Sequence, residues 1–233
     1  MRGARYVRRW ELDGVRGAVV VVDVIRAFTT AAYALHAGAS EIWLVAGVDE
    51  AVALGRSLPG AVVMGEDRGQ RPPGFDLPNS PVLASRADLQ GRPVVLRTSA
   101  GTQGAVAARD ADLLLAASLV CASATAAVVA DADLGPPTYV ITGAHPDRPD
   151  GGSDDRLTAE LIERARLGQP LRADETAHAV ATSEEAALTA ALGEGHVHPD
   201  DIALATEVDR FDFKMPVERT ERGLRLRAAA PSG

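Results

Sequence analysis

Hydrophobic residues fall in short unbroken runs separated by longer alanine-rich stretches. Residues 19–22 are four valines led in by Ala18, the pattern of a strand covered on both faces. Residues 28–37 have helix-forming composition and stop at Gly38, a suitable C-cap. A second strand is predicted at 42–45, a helix at 48–58 and a third strand at 61–64. Residues 93–96, 112–115 and 138–141 predict three more strands, with helical stretches between them. Strand–helix alternation of this kind predicts an α/β fold, a three-layer α/β/α arrangement with a mostly parallel or mixed central sheet.

The last third changes character. A polar stretch at 145–153 precedes helices predicted near 154–167, 173–181 and 184–192. His198-Pro199-Asp200-Asp201 reads as a further helix start, with proline early and acids in the first turn. Phe211, Phe213 and Met215 alternate with polar neighbours, as do Leu224 and Leu226. These predict two terminal strands, paired as an antiparallel hairpin at an edge of the sheet. No fixed-period repeat or low-complexity tract interrupts the pattern. One domain over 1–233 is the simplest organisation, with a two-lobed arrangement as the alternative.

Composition narrows the function classes. The chain has 233 residues, 46% hydrophobic and 4% aromatic, a size and apolar fraction that suit a globule needing no staples. With 24 basic and 32 acidic residues the formal charge is −8, which argues against nucleic acid or a membrane surface as partner. Cys121 is the only cysteine, so an intramolecular disulfide and a multi-thiolate zinc site are excluded. Lys214 is the only lysine, and arginine abundance alone therefore nominates no site. Arg8-Arg9 is followed by Trp10-Glu11-Leu12-Asp13 rather than an apolar segment, so a cytoplasmic location is expected. Apolar, weakly charged helices suggest a homodimer.

Candidate chemistry lies after the predicted strands. The first is followed by Asp23 and Arg26, then Thr29 and Thr30; the third by Glu66 and Arg68; the fourth by Arg97, Thr98, Ser99, Gly101 and Thr102; the fifth by Ser118. Ligands of open α/β sheets bind outside the carboxyl ends of strands, so these positions point to one shared edge. Asp23 alone reads as a helix cap or an ion-pair partner of Arg26 rather than as a ligand. Glu66 in the equivalent position favours a shared site. Carboxylates with oxygen-bearing neighbours suit a hard cation, Mg²⁺ or Mn²⁺, rather than zinc. Asp154 or Asp155 could add a third acid, against the alternative that they stabilise a helix N-terminus. The turn around Ser99 is neither a Walker A loop nor a dinucleotide fingerprint, but its amides and hydroxyls suit an anion. The long loop at 65–81 carries Asn79 and Ser80, which read evenly as a helix cap or ligand contacts. His36, His178 and Cys121 read as packing residues.

Taken together, Asp-Val-Ile-Arg-Ala-Phe-Thr-Thr (23–30), Gly65-Glu66 with Arg68-Gly69, Gly74-Phe75-Asp76 with Asn79-Ser80-Pro81, and Thr98-Ser99-Ala100-Gly101-Thr102 resemble the successive motifs of the 2-phosphosulfolactate phosphatase (ComB) family. The resemblance covers nearly the whole chain. It implies an α/β/α fold and a Mg²⁺-dependent phosphatase that hydrolyses 2-phosphosulfolactate to 3-sulfolactate and phosphate, on the route to coenzyme M. Asp23, Arg26, Glu66 and Arg68 would then be catalytic, and Asp23, Glu66 and Asp155 would hold the metal. Thr29, Thr30, Asn79, Ser80, Arg97, Thr98, Ser99, Gly101, Thr102 and Ser118 would bind a small phosphorylated acid. The chain departs from the family pattern at Ala100 and Cys121, where the family usually has asparagine, and at Asp154 and Glu160. These departures bear on the substrate more than on the fold. Two other readings stay open, a phosphorylated-ligand-binding protein without turnover and a phosphotransferase acting on a small acid.

Overall fold

The computed structural model describes residues 3–230. In chain order it contains β1 (Arg5–Arg8), β2 (Ala18–Val22), α1 (Ala27–His36), β3 (Glu41–Leu44), α2 (Val48–Ser57), β4 (Val62–Gly65), β5 (Leu77–Pro78), α3 (Pro81–Arg86), β6 (Pro93–Arg97), α4 (Gly101–Ala107), β7 (Leu113–Ala117), α5 (Ala122–Asp131), β8 (Thr138–Ile141), α6 (Ser153–Arg166), α7 (Ala173–Ala181), α8 (Glu184–Ala190), α9 (Asp201–Ala205), β9 (Met215–Thr220) and β10 (Gly223–Leu226). The strands form one ten-stranded sheet in the order β1-β8-β2-β7-β9-β10-β3-β6-β4-β5. Two all-parallel groups, β1-β8-β2-β7 and β3-β6-β4-β5, flank the antiparallel β9–β10 hairpin. The sheet is therefore mixed, as expected.

The hairpin does not lie at an edge. β9 pairs with β7 through Met215 and Pro216, and β10 pairs with β3 through Leu224, Arg225 and Leu226. The edges are β1 and the two-residue β5. Alternating Met215/Val217 and Leu224/Leu226 correctly signals one buried face, but alternation carries no information about which strands pair on either side. Phe211 and Phe213 precede β9 rather than belonging to it. They stack on each other at 5.2 Å, and Phe211 also meets the Tyr33 ring of α1 edge-on at 4.9 Å. β1 was not predicted, because its Arg-Tyr-Val-Arg sequence gives only a short alternation.

Side-chain alternation assigns the two faces. Val19 and Val21 of β2, Ile42 and Leu44 of β3, and Val94 and Leu96 of β6 share a single core with Phe28, Ala31, Ala32 and Leu35. Helices α1 and α4 touch strands of both parallel groups, α1 packing on β3 and β7 and α4 on β2 and β3. On the other face, Val20, Val22, Leu115 and Ala117 pack under residues of α5 and α6. Trp43, Val63 and Val95 pack with Ala51 of α2. Alanine on the inner helices keeps them close to the sheet, which brings strand ends from both groups together.

Candidate functional site

Asp23 follows the last residue of β2 and is almost wholly buried. Its amide continues the ladder to the Ala117 carbonyl at 3.2 Å, which fixes the backbone from which the carboxylate projects. Oδ1 accepts the Ala27 amide at 2.8 Å, at the start of α1. The Thr142 hydroxyl lies 3.2 Å from Oδ2, but also 3.1 Å from Asp155 Oδ2 and 3.0 Å from the Val22 carbonyl. One hydroxyl proton thus serves three acceptors. Burial, assisted by the nearby Glu66 charge, pushes the Asp23 carboxyl up to about 6 against the Ala27, Thr142 and Gly101 donors. Gly101 is required here: a Cβ at this position would lie 2.6 Å from Asp23 Oδ2.

Glu66 follows β4, and its amide donates to the Arg97 carbonyl at 2.9 Å. β4 ends at Gly65, whose φ is +134° and where a Cβ would stand 1.9 Å from the same carbonyl oxygen. Only glycine permits that approach. Glu66 Oε1 accepts the Ser99 amide at 2.5 Å, and Oε2 accepts the Ser99 hydroxyl at 3.0 Å and the Gly69 amide at 2.6 Å. The loop after β4 and the turn after β6 are thus laced together by one carboxylate. Thr98 and Thr102 close the turn on themselves, each hydroxyl accepting the other's amide.

The two arginines expected to be catalytic differ. Arg26 is buried and Arg68 is exposed. Arg26 Nη1 donates to the His196 carbonyl at 2.9 Å and to Asp201 Oδ2 at 3.2 Å. Burial lowers its pKa and Asp201 opposes the shift. Arg68, held at φ +50°, donates its amide to Ser99 Oγ at 2.8 Å, and its guanidinium has no protein partner among the described residues. The structure brings Asp23, Glu66, Ser99 and Gly101 together, with the Arg26 and Arg68 backbones at their border.

Several expected binding residues are occupied by the fold itself. Arg97 donates to the carbonyls of Ala46 and Glu66 and to Asp67 Oδ1. Thr29 Oγ1 bonds to the Val24 carbonyl and shares a 2.5 Å contact with Ser118 Oγ. Ser80 resolves as the cap of α3, accepting the Leu83 amide at 3.2 Å. Thr30 Oγ1 and Asn79 Oδ1 are different: both are buried and have no partner.

Asp155 is engaged by the fold through both oxygens. Its Oδ1 accepts the Val24 amide at 2.9 Å, and its Oδ2 accepts the amides of Thr142 and Gly143 at 3.0 and 2.8 Å. With the Thr142 hydroxyl, both oxygens are engaged in clasping the ends of β2 and β8. Asp154 is the acid with spare capacity. Its Oδ2 accepts the Ile25 amide at 3.2 Å while Oδ1 is buried without a partner. Burial and the charges of Glu185 and Asp23 push it up to about 7. No group of three or more His, Cys, Asp or Glu with metal-binding geometry gathers among the described residues. Thr142 carries no sequence signal and Asp201 reads only as part of a helix start, so neither is expected at the site. Each gains its role there through partners more than 100 positions away. A surface cleft of about 330 Å³ beside Tyr6, Arg8, Ser153 and Arg156 includes none of Asp23, Arg26, Glu66 or Ser99. No helix among the described residues is long and apolar enough to cross a membrane.

Comparison with known proteins bears on the family of the chain. Residues 6–198 match the family model described as 2-phosphosulpholactate phosphatase. A probable 2-phosphosulfolactate phosphatase of Bacillus subtilis is 37% identical over 144 residues, 62% of this chain and 61% of the relative. Proteins of the same description from Carboxydothermus hydrogenoformans and Thermus thermophilus are 44% and 47% identical over 109 residues, covering 47% and 46% of this chain and 45% of each relative. The alignments thus span about three-fifths of the first relative's length and under half of the other two. With the family model covering most of its length, the chain belongs to the 2-phosphosulfolactate phosphatase family.

Proposed function

We propose that this protein is a phosphatase that cleaves the phosphate monoester of a small phosphorylated hydroxy acid, 2-phosphosulfolactate or a close analogue, to the free hydroxy acid and phosphate. The observation that carries this reading is the meeting of two strand-end carboxylates, Asp23 and Glu66, with the amide-rich turn at Ser99–Gly101. Oxygen-only donors, and the buried acids Asp23, Glu66, Asp154 and Asp155 against Arg26, the one buried arginine among the described residues, fit a hard dication such as Mg²⁺ or Mn²⁺. Asp23 and Glu66 would hold it, since a magnesium site needs only one or two carboxylates besides the substrate phosphate. When bound, the ion would neutralise phosphate charge and favour in-line attack by water.

The chain's own groups would do the rest. Arg68 would close on the phosphate or the second acidic group, in the bidentate geometry that guanidinium offers and ammonium does not. Arg26 would present an oriented charge from below. Thr30 Oγ1 and Asn79 Oδ1, buried and unpartnered, would meet polar groups of the ligand. Gly101 leaves room beside Asp23 Oδ2 that any side chain would fill. A cytoplasmic homodimer completes the reading.

The test is phosphate release from 2-phosphosulfolactate and a panel of phosphorylated hydroxy acids, run with Mg²⁺, with chelator, and with Asp23→Asn. Chelator-sensitive release abolished by the substitution is the expected result. Tight binding of a panel member without release would instead identify a non-catalytic binding protein. Transfer to an added alcohol at the expense of free phosphate would identify a phosphotransferase.

A further inference from the structure

We infer that Asp201 is a positioning residue for the site: it sets the orientation of Arg26 from a position just beyond residues 6–198, the part matched by the family model. The inference rests on the proposed role of Arg26 in holding the anionic substrate. Asp201 opens α9 in sequence, where an acid ordinarily faces solvent and stabilises the helix N-terminus. In the fold it is fully buried, with no accessible surface.

Its two oxygens collect donors from three separate parts of the chain. Oδ2 accepts Arg26 Nη1 at 3.2 Å and the His198 amide at 2.9 Å. Oδ1 accepts the Ser80 hydroxyl at 2.6 Å and the Val82 amide at 3.2 Å. The α3 cap therefore fixes one side of the carboxylate, and its other side fixes the arginine. The His196 carbonyl, from the same approach to α9, takes a second bond from Arg26 Nη1 at 2.9 Å.

Both recorded acceptors bind through Nη1. Nε and Nη2 have no protein acceptor among the described residues, so one edge of the guanidinium is anchored and the other is left for a ligand. A buried arginine without a counter-charge is costly, and Asp201 supplies that charge without touching the substrate side. The segment also reaches the loop after β4. His196 Nδ1 accepts the Arg71 amide at 3.0 Å, and Leu192 packs where a Cβ at Gly69 would stand. The turn that carries Arg68 and the arginine at Arg26 are thus referenced to one strap, residues 192–201.

The experiment is calorimetric titration with inorganic phosphate in the presence of Mg²⁺, alongside steady-state phosphate release. It compares the native chain with Arg26→Ala, Asp201→Asn, Asp201→Glu and Ser80→Ala. Asp201→Asn should raise the phosphate Kd about tenfold or more, the scale of a charge-assisted hydrogen bond. KM should rise more than kcat falls, and Asp201→Glu should recover part of the loss. Ser80→Ala keeps every charge and loosens the carboxylate, at the further cost of the α3 cap to the Leu83 amide, so it should give a smaller loss of the same kind with Tm lowered by the lost cap, and it decides the matter if Asp201→Asn does not fold. Phosphate binding at the native level in Asp201→Asn, or in Ser80→Ala where Asp201→Asn is unfolded, with binding lost in Arg26→Ala, overturns the positioning role. Native-level binding in Arg26→Ala overturns the role of Arg26 itself, and the inference with it.

Discussion

Replacing Asp23 by asparagine should make the protein more stable while removing its activity. In the folded chain the Asp23 carboxyl is raised from 3.8 to about 6, with burial the largest cause. A raised carboxyl means that the folded state binds a proton where the unfolded state has released it. Stability therefore falls as pH rises from about 4 through about 6, and the cost is constant above that. A shift of about two units corresponds to a cost of ~3 kcal/mol at pH 8, at 1.36 kcal/mol per unit. Asparagine keeps an oxygen for the Ala27 amide and can donate to Thr142, but one amide donor to the carboxylate loses its acceptor, which takes back ~1–2 kcal/mol. The net gain should be ~1–2 kcal/mol, or ~2–8 °C in Tm for a chain of this size. Urea unfolding followed by circular dichroism, in chelator at pH 8 and pH 4, measures it. At pH 4, where the ionisation cost is gone, the variant should instead be the less stable protein by ~1–2 kcal/mol, and added Mg²⁺ at pH 8 should stabilise the native chain and not the variant. An asparagine variant no more stable than the native chain at pH 8, or equally displaced at both pH values, would refute the claim that Asp23 is held ionised against its environment.

Three further perturbations separate the site's parts. Gly101→Ala places a methyl 2.6 Å from Asp23 Oδ2 and 2.8 Å from Ala27 Cβ; it should cost ~1–3 kcal/mol in urea unfolding and about 100-fold in kcat/KM. Arg68→Ala removes an exposed side chain, so Tm should hold within ~2 °C while KM for the phosphorylated acid rises about tenfold. Cys121 is fully buried and burial pushes its thiol up to about 11. A thiol reagent at pH 8 should leave the native protein unmodified and titrate one thiol in denaturant.

The fold was legible where hydrophobic runs are long and unambiguous. β2, β3, β6 and β8, with α1, α2, α6 and α7, fall within a residue or two of the boundaries that periodicity and capping residues imply. What periodicity lacks is lateral order. Leu224 and Leu226 alternate identically whether their strand is an edge or a seam, and only the pairing of β9 with β7 and β10 with β3 shows that the hairpin joins two parallel groups. The strand-end rule correctly gathered Asp23, Glu66 and Ser99, because each follows a strand by one or two positions. Arg97 turns its side chain back to the carbonyls of Ala46 and Glu66, and Ser80, read evenly as a cap or a ligand contact, caps α3. Residue type identifies a donor, and the fold decides whether its acceptor is protein or ligand.

The same distinction sorts the buried acids, and it constrains how an anion enters. Asp155 and Asp201 are surrounded by amides, hydroxyls or a guanidinium that balance them, and both serve as clasps. Asp154 retains an oxygen without a donor, and Asp23 shares one hydroxyl proton with two other acceptors. Arg26, the buried cation nearest them, is already offset by Asp201. A phosphate approaching Asp23 and Glu66 therefore meets net negative charge, opposed by Arg68, the unanchored edge of the already paired Arg26 and the amides of the turn. At an effective dielectric constant of ~20, one such charge at ~4 Å repels another by ~4 kcal/mol, more than a single charge-assisted hydrogen bond returns. Either a dication accompanies the phosphate or protons accompany the carboxylates. The two routes respond oppositely to pH. Phosphate affinity carried by a dication at Asp23 and Glu66 strengthens above about pH 6, as Asp23 ionises. Affinity carried by protonated acids weakens through the same range, and titration of inorganic phosphate at pH 5 and pH 8, with and without Mg²⁺, separates them.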